Sequence, residues 1–203
     1  MIALSDDDTA IGADEALARL MEGNARFLRG EPSNTRTPRE VLADLAKGQR
    51  PFATILGCSD SRVPPELVFD QGLGHLFVCR TAGQVLDQAV LGSIQYGVLE
   101  LGIPLILVLG HEECGAVRAT LEARHSAPVG NDIDALVAAI SPAVERADVA
   151  EGGDPLDRAV RYNVGNVVTA LRGNAVLGAA VGAGSLRILG ARYGLDDGRV
   201  EFL

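Results

Sequence analysis

Two short apolar runs, Ala53-Thr-Ile-Leu-Gly57 and Leu105-Ile-Leu-Val-Leu-Gly110, stand out from the mixed sequence around them. Both are aliphatic or β-branched, too short for helices and closed by glycine, so they predict buried parallel strands. Leu76-Phe77-Val78-Cys79 predicts another strand. Ala13 to Arg29 carries helical spacing, with Leu17, Leu20, Met21, Phe27 and Leu28 near one face. That stripe needs a surface, from its own subunit or from a partner. Thr37-Pro38-Arg39-Glu40 combines a cap, an N-terminal proline and a capping-box glutamate, and Gly48 would end the helix they start. Helical spacing returns from Leu86 to Leu101, from Cys114 to Arg124, and after the capping pair Asn131-Asp132, where Pro142 should kink or split the helix. Asp154-Pro155 opens a long helix to about Arg172. A hairpin closes the pattern: Leu186–Tyr193, the turn Asp196-Asp197-Gly198, then Val200–Leu203. Strands alternating with helices predict an α/β fold, a mostly parallel central sheet flanked by helices. An N-terminal helical arm and the C-terminal hairpin complete it. Residues 1–12 read as an acidic tail and 13–203 as a single domain.

Composition narrows the function. The 203 residues allow one sizeable core, and with aromatics at 4% and no Trp, aliphatic side chains must fill it. A net charge of −9 argues against nucleic acid, whose phosphates need clustered Lys and Arg. The acidic start lacks the apolar core of a signal peptide, and residues 91–110 are interrupted by Gln95, Tyr96, Glu100 and Pro104, so no membrane span is expected. Three cysteines do not make a disulfide framework. A reducing, cytoplasmic location is the expectation.

The chemistry sits just after the two apolar runs. Cys58-Ser-Asp60-Ser-Arg62 follows the first and His111-Glu112-Glu113-Cys114 the second. In an open α/β sheet, ligands bind beyond the carboxyl ends of the strands. Two thiols, an imidazole and a carboxylate at that edge form a soft tetrahedral set suited to Zn²⁺. Cys79, mid-strand and without such company, reads as core. His75 and His125 read as exposed, and Glu112 and Glu113 as a solvated pair at a helix start. A thiol redox protein is disfavoured because no two cysteines have Cys-x-x-Cys spacing.

Cys58-x-Asp60-x-Arg62 with His111-x-x-Cys114-Gly115 resembles the β-class carbonic anhydrases. Phe69-Asp70, the Arg80-Thr-Ala-Gly83 turn, Ser93-Ile-Gln-Tyr96 and the Tyr193…Asp196-Asp197-Gly198 hairpin extend the likeness over roughly residues 15–203. The resemblance implies one Zn²⁺ per subunit on Cys58, His111 and Cys114, with Asp60 a fourth ligand only in a closed resting state. It implies reversible hydration of CO₂ to bicarbonate and a proton by attack of zinc-bound hydroxide, with Asp60 and Arg62 as a catalytic dyad. By the same resemblance Gln49 meets bicarbonate from a neighbouring subunit, and Phe77, Ala82 and Tyr96 line the substrate pocket. Tyr96 should be core first and pocket wall second. Gly115 offers a backbone N–H to an anionic product. The expected assembly is a homo-oligomer, a dimer or a tetramer built from dimers. A Cys₂His centre is formally neutral, so activity should favour alkaline pH. Relatives that hydrolyse CS₂ or COS share the ligand set, and such a hydrolase is the alternative.

Overall fold

The computed structural model of the chain describes residues 11–33, 42–43, 45–124, 128 and 130–203. The start at Thr37–Glu40, His125 and most of the acidic tail lie outside these residues.

Five strands form one sheet: β1 (Ala53–Cys58), β2 (Leu76–Thr81), β3 (Leu105–His111), β4 (Arg187–Tyr193) and β5 (Val200–Phe202). Their order is β2-β1-β3-β4-β5. The first four are parallel, and β5 runs antiparallel to β4 as the expected hairpin. β1 and β3 lie side by side in the interior of the sheet, and every residue in both is buried. That is why their sequences are apolar on both pleat faces.

On one face Ile55, Leu105, Leu107 and Leu109 meet Ala16 and Leu20 of helix α1 (Ala13–Arg29), together with Phe69. On the other, Leu56, Ile106 and Val108 meet Ile94 of α3 (Gln88–Leu99) and Val164, Val167 and Leu171 of α6 (Pro155–Gly173). Each fully buried aliphatic side chain of this kind contributes about 1.5–3 kcal/mol. A third cluster sits at the carboxyl end of the sheet, where α4 (Gly115–Ala123) and α5 (Ile133–Asp148) pack with α6 around Cys58 and Cys114. No single helix among the described residues is long and apolar enough to cross a membrane.

Helix α1 has the predicted limits, and only half of its stripe faces its own subunit. Ala16 and Leu20 are buried, whereas Met21, Phe27 and Leu28 remain exposed. The helix comes close to the turn after α2 (Pro65–Val68) because residue 23 is glycine. A Cβ there would stand 1.8 Å from the Phe69 carbonyl oxygen. The next residue, buried Asn24, donates to the carbonyls of Val68 (3.1 Å) and Gly198 (3.0 Å) and accepts from the Val200 N–H (3.2 Å).

Three local features go beyond the sequence pattern. Pro142 does not split α5, which runs through it from Ile133 to Asp148. The buried stripe Ile140, Ala143, Val144 and Ala147 offsets the interior proline, which costs about 3 kcal/mol. The apolar stretch at Leu67-Val68-Phe69 belongs to the single helical turn α2 and its end. Helix α7 (Ala175–Gly182) has no counterpart in the sequence pattern, because its small and apolar residues show no polar face. Asn174 starts it, accepting from the Val176 and Leu177 N–H groups. The start of α6 is as predicted: Pro155 occupies its first turn and Asp154 accepts from the Asp157 N–H at 2.9 Å.

Candidate metal centre and active site

The pairing of β1 with β3 sets Gly57 opposite Leu109, so Cys58 and His111 leave the same edge of the sheet. The chain turns through Glu112 and Glu113, the latter in the left-handed region at φ 54°, and delivers Cys114 at the N-cap of α4. The Cys58 and Cys114 sulfurs are 3.9 Å apart, and the ligating atoms of Cys58, His111 and Cys114 all lie within 4.8 Å of one another. His111 is wholly buried, and the two cysteines are 6% and 1% exposed.

Two features of this cluster fit a soft divalent cation. The Glu112 carbonyl can only accept, so at 2.7 Å from His111 Nδ1 it holds the proton on that nitrogen. That leaves Nε2 as a bare acceptor, buried and without a hydrogen-bond partner among the described residues. The sulfurs supply the second feature. A hydrogen bond from Cys114, with another from the Gly83 N–H, pulls the Cys58 thiol down to about 4. Cys114 is pushed up by the same contact and by burial, so the pair shares one proton. A cation of charge +2 at this point would allow both to be thiolates. Cys79 lies elsewhere, in the core, and burial raises its thiol pKa.

Asp60 and Arg62 stand beside the cluster as a closed pair. Arg62 Nε donates to Asp60 Oδ1 at 2.9 Å and Nη2 to Oδ2 at 2.7 Å, and the Arg62 backbone N–H adds a third bond at 2.9 Å. These bonds hold the Asp60 carboxyl well below the usual carboxylate range. Its Oδ2 is 3.9 Å from His111 Nε2. Arg62 also reaches back to the Glu113 carbonyl at 3.4 Å, which ties the two ligand segments together.

Residues 53–200 match the family model described as carbonic anhydrase. Carbonic anhydrase 2 of Mycobacterium tuberculosis is 44% identical over 89% of this chain and 87% of its own length. The carbonic anhydrase of Mycolicibacterium smegmatis is also 44% identical, covering 90% of this chain and 89% of its own. The β-carbonic anhydrase of Coccomyxa, solved in complex with acetazolamide, superposes with a TM-score of 0.73 at 26% identity, over 92% of this chain and 86% of that one. The chain belongs to the β-class carbonic anhydrases. Its activity is accordingly that of a carbonic anhydrase, the hydration of CO₂.

In this carbonic anhydrase three further residues support the cluster without having been assigned a part by the sequence reading. Gly83 donates its N–H to Cys58 Sγ at 3.3 Å, from a left-handed backbone with φ 65°. A Cβ there would sit 2.7 Å from Ile140 Cδ1, so both conformation and space call for glycine. Buried Asn163 of α6 donates to the Gly83 carbonyl at 2.9 Å. Arg80 donates to the Cys58 carbonyl at 2.7 Å and to the Asp60 carbonyl, clasping the loop between ligand and dyad. A signal for Asn163 exists: it is the one amide on the buried stripe Leu156, Ala159, Val160, Val164, Val167, Leu171.

Other expected site residues are distributed differently. Ala82 follows Thr81, the register partner of Cys58, and Gly115 opens α4 next to Cys114, so both stand at the ligand edge. Phe77 does not. It pairs with Thr54, four residues before Cys58, or about 13 Å along the strand. Tyr96 stands with Phe77, ring centroids 6.4 Å apart, and is 49% exposed. The reading of Tyr96 as core is therefore corrected: α3 turns it outward. Gln49 is exposed and precedes the amino end of β1, opposite to Cys58. Glu112 is not a simple solvated residue either. Its carboxylate accepts from Arg192 and from the Leu195 N–H at 2.8 Å, because the C-terminal hairpin closes over it. Glu113 stays exposed and pairs with Arg118. His75 is exposed as expected.

Proposed function

We propose that this enzyme hydrates CO₂ reversibly to bicarbonate and a proton at a single Zn²⁺ held by Cys58, His111 and Cys114. The observation that carries the reading is the buried cluster of two sulfurs and a bare imidazole nitrogen with a paired carboxylate beside it. When bound, zinc lowers the pKa of a water and so supplies a hydroxide nucleophile near neutral pH. The chain does the rest. Cys58 and Cys114 contribute two negative charges, which make the donor set neutralising and favour activity on the alkaline side. Asp60, ionised at all ordinary pH values, is an acceptor only. It can take a hydrogen bond from the nucleophile and aim the remaining lone pair at CO₂. Arg62 fixes both carboxylate oxygens and keeps Asp60 from turning onto the cation. The Gly115 N–H at the start of α4 suits an anionic product. Purified protein is expected to carry one zinc per subunit and to turn over CO₂ far faster than COS or CS₂. Preference for COS or CS₂ in parallel assays would make the chain a hydrolase on the same scaffold.

The working unit, in this reading, is at least a dimer. Gln49, Phe77 and Tyr96 lie away from the ligand edge of their own subunit, so they can serve a site only in a neighbour. Tyr96 is joined on the outer side of α3 by Leu99, 64% exposed, which is a surface suited to burial between subunits. Sedimentation at assay concentrations should show a dimer or larger species, and a fully active monomer would rule this out. The free thiols of Cys58, Cys79 and Cys114 support a reducing, cytoplasmic location, which cell fractionation checks.

A further inference from the structure

The residue that aims His111 is Glu112, and Glu112 is held from outside its own turn. Its N–H donates to the Tyr193 carbonyl at 2.9 Å. One carboxylate oxygen accepts from the Leu195 N–H at 2.8 Å, and the other from Arg192 Nη2. Arg192 faces two ways, since its Nε donates to Asp157 Oδ1 at 2.5 Å. Asp157 in turn accepts from Arg161 at 2.7 Å, and Arg161 grips both oxygens of Glu201 on β5 at 2.9 and 2.7 Å. Charges alternate along Glu112, Arg192, Asp157, Arg161 and Glu201. The inner end is sheltered: the Arg192 side chain is 15% exposed and that of Glu112 26%.

We infer that Arg192 is a positioning residue for His111, itself a zinc ligand in the function proposed above: by anchoring Glu112 to α6 and β4, it holds the Glu112 carbonyl against Nδ1 and so presents Nε2 to the metal. The turn cannot be relied on to do this alone. Glu113, the next residue, occupies the left-handed region at φ 54°, where a non-glycine residue is disfavoured by roughly 1–2 kcal/mol. Without Arg192 the Glu112 side chain keeps one neutral donor, the Leu195 N–H, and the peptide that carries its carbonyl is held less firmly. The imidazole proton then distributes over both nitrogens, and a ring carrying it on Nε2 cannot bind zinc there. Partners behind a ligating histidine characteristically tune affinity in this way. Lysine would be a poor replacement, because a compact ammonium cannot span two carboxylates as the planar fork does.

The test uses the full chain with Arg192→Met, Arg192→Lys and Arg161→Met. Two readings are made: the His111 tautomer in metal-free protein, from ¹⁵N shifts of the ring, and zinc affinity, by competition with a chelator. Wild type should show the proton on Nδ1 alone. Arg192→Met should show both tautomers and bind zinc about ten- to a hundredfold more weakly, the usual cost of losing such a partner. Arg192→Lys should fall between. Arg161→Met removes an ion pair of the same chain but leaves the Arg192 contacts with Asp157 and Glu112, so it should change unfolding temperature without changing either reading. A single Nδ1–H tautomer and unchanged zinc affinity in a folded Arg192 variant, Met or Lys, would overturn the assignment. An equal loss in Arg161→Met would overturn it too, by reducing the effect to general loosening. A wild-type chain with no zinc affinity would count against the proposed function instead, and the metal-free tautomer would still decide the part played by Arg192.

Discussion

Cys58→Ser and Cys114→Ser should each lose the metal and, with it, nearly all CO₂ hydration, while Cys79→Ser should keep both. The three substitutions are chemically alike and differ only in place. Cys58 and Cys114 lie 3.9 Å apart at the sheet edge with a bare imidazole nitrogen, whereas Cys79 is packed among Leu56, Ile94 and Ile106. A serine hydroxyl is not a soft thiolate and does not ionise near neutrality, so replacing either ligand removes a strong bond and a negative charge. The loss in zinc affinity should exceed the roughly hundredfold cost of losing a supporting partner. Metal content of the purified proteins checks this directly. Full occupancy in Cys114→Ser would take Cys114 out of the ligand set.

Arg62→Ala should leave zinc bound and still lower turnover by about 10²–10⁴-fold, the usual range for a positioned proton acceptor. The substitution removes both side-chain bonds to Asp60, leaving only that from the residue 62 backbone N–H. A carboxylate whose Oδ2 stands 3.9 Å from His111 Nε2 is then free to enter the coordination sphere and exclude water. Asp60→Ala should impair turnover as well, by loss of the acceptor, without that obstruction. The pH dependence separates the causes. Arg62 is the main reason the Asp60 carboxyl titrates well below the ordinary range, so wild-type Asp60 remains ionised from mild acid upward. A rise in wild-type activity toward alkaline pH therefore reports formation of the nucleophile, not ionisation of Asp60. In Arg62→Ala the Asp60 pKa moves back up, and hydroxide must compete with its carboxylate for the metal. The variant should regain part of its rate only at high pH. Near-normal rates across the whole range would exclude this role for the pair.

The central part of the fold could be read from sequence because β1 and β3 are buried on both faces and carry no polar residue except Thr54 before the ligand segments. Helix α1 was legible through its stripe, and α6 through Asp154-Pro155. Helix α7 was not, since a helix with no polar face has no period to detect. The Cys58, His111 and Cys114 cluster was legible because each member lies within a few residues of a strand end. Their supports were not: Asn163 meets Gly83 across 80 positions and Arg192 meets Glu112 across 80, and no local pattern encodes such pairings. Tyr96 was expected in the core and is 49% exposed instead. Apolar character alone does not say whether such a side chain is buried within the chain or left on its surface.

The bonds of Asn24 set an order on biosynthesis. This amide lies in the first helix, yet two of its three partners are Gly198 and Val200. A nascent chain can form α1 early but cannot complete its polar seat until those late residues have been translated. Until then the apolar side of α1, Ala16 and Leu20 included, must wait against an unfinished sheet. Final closure of this fold thus waits on residues 198 to 200, and the interval before they emerge is when the helix is most open to chaperones or to misplaced contacts.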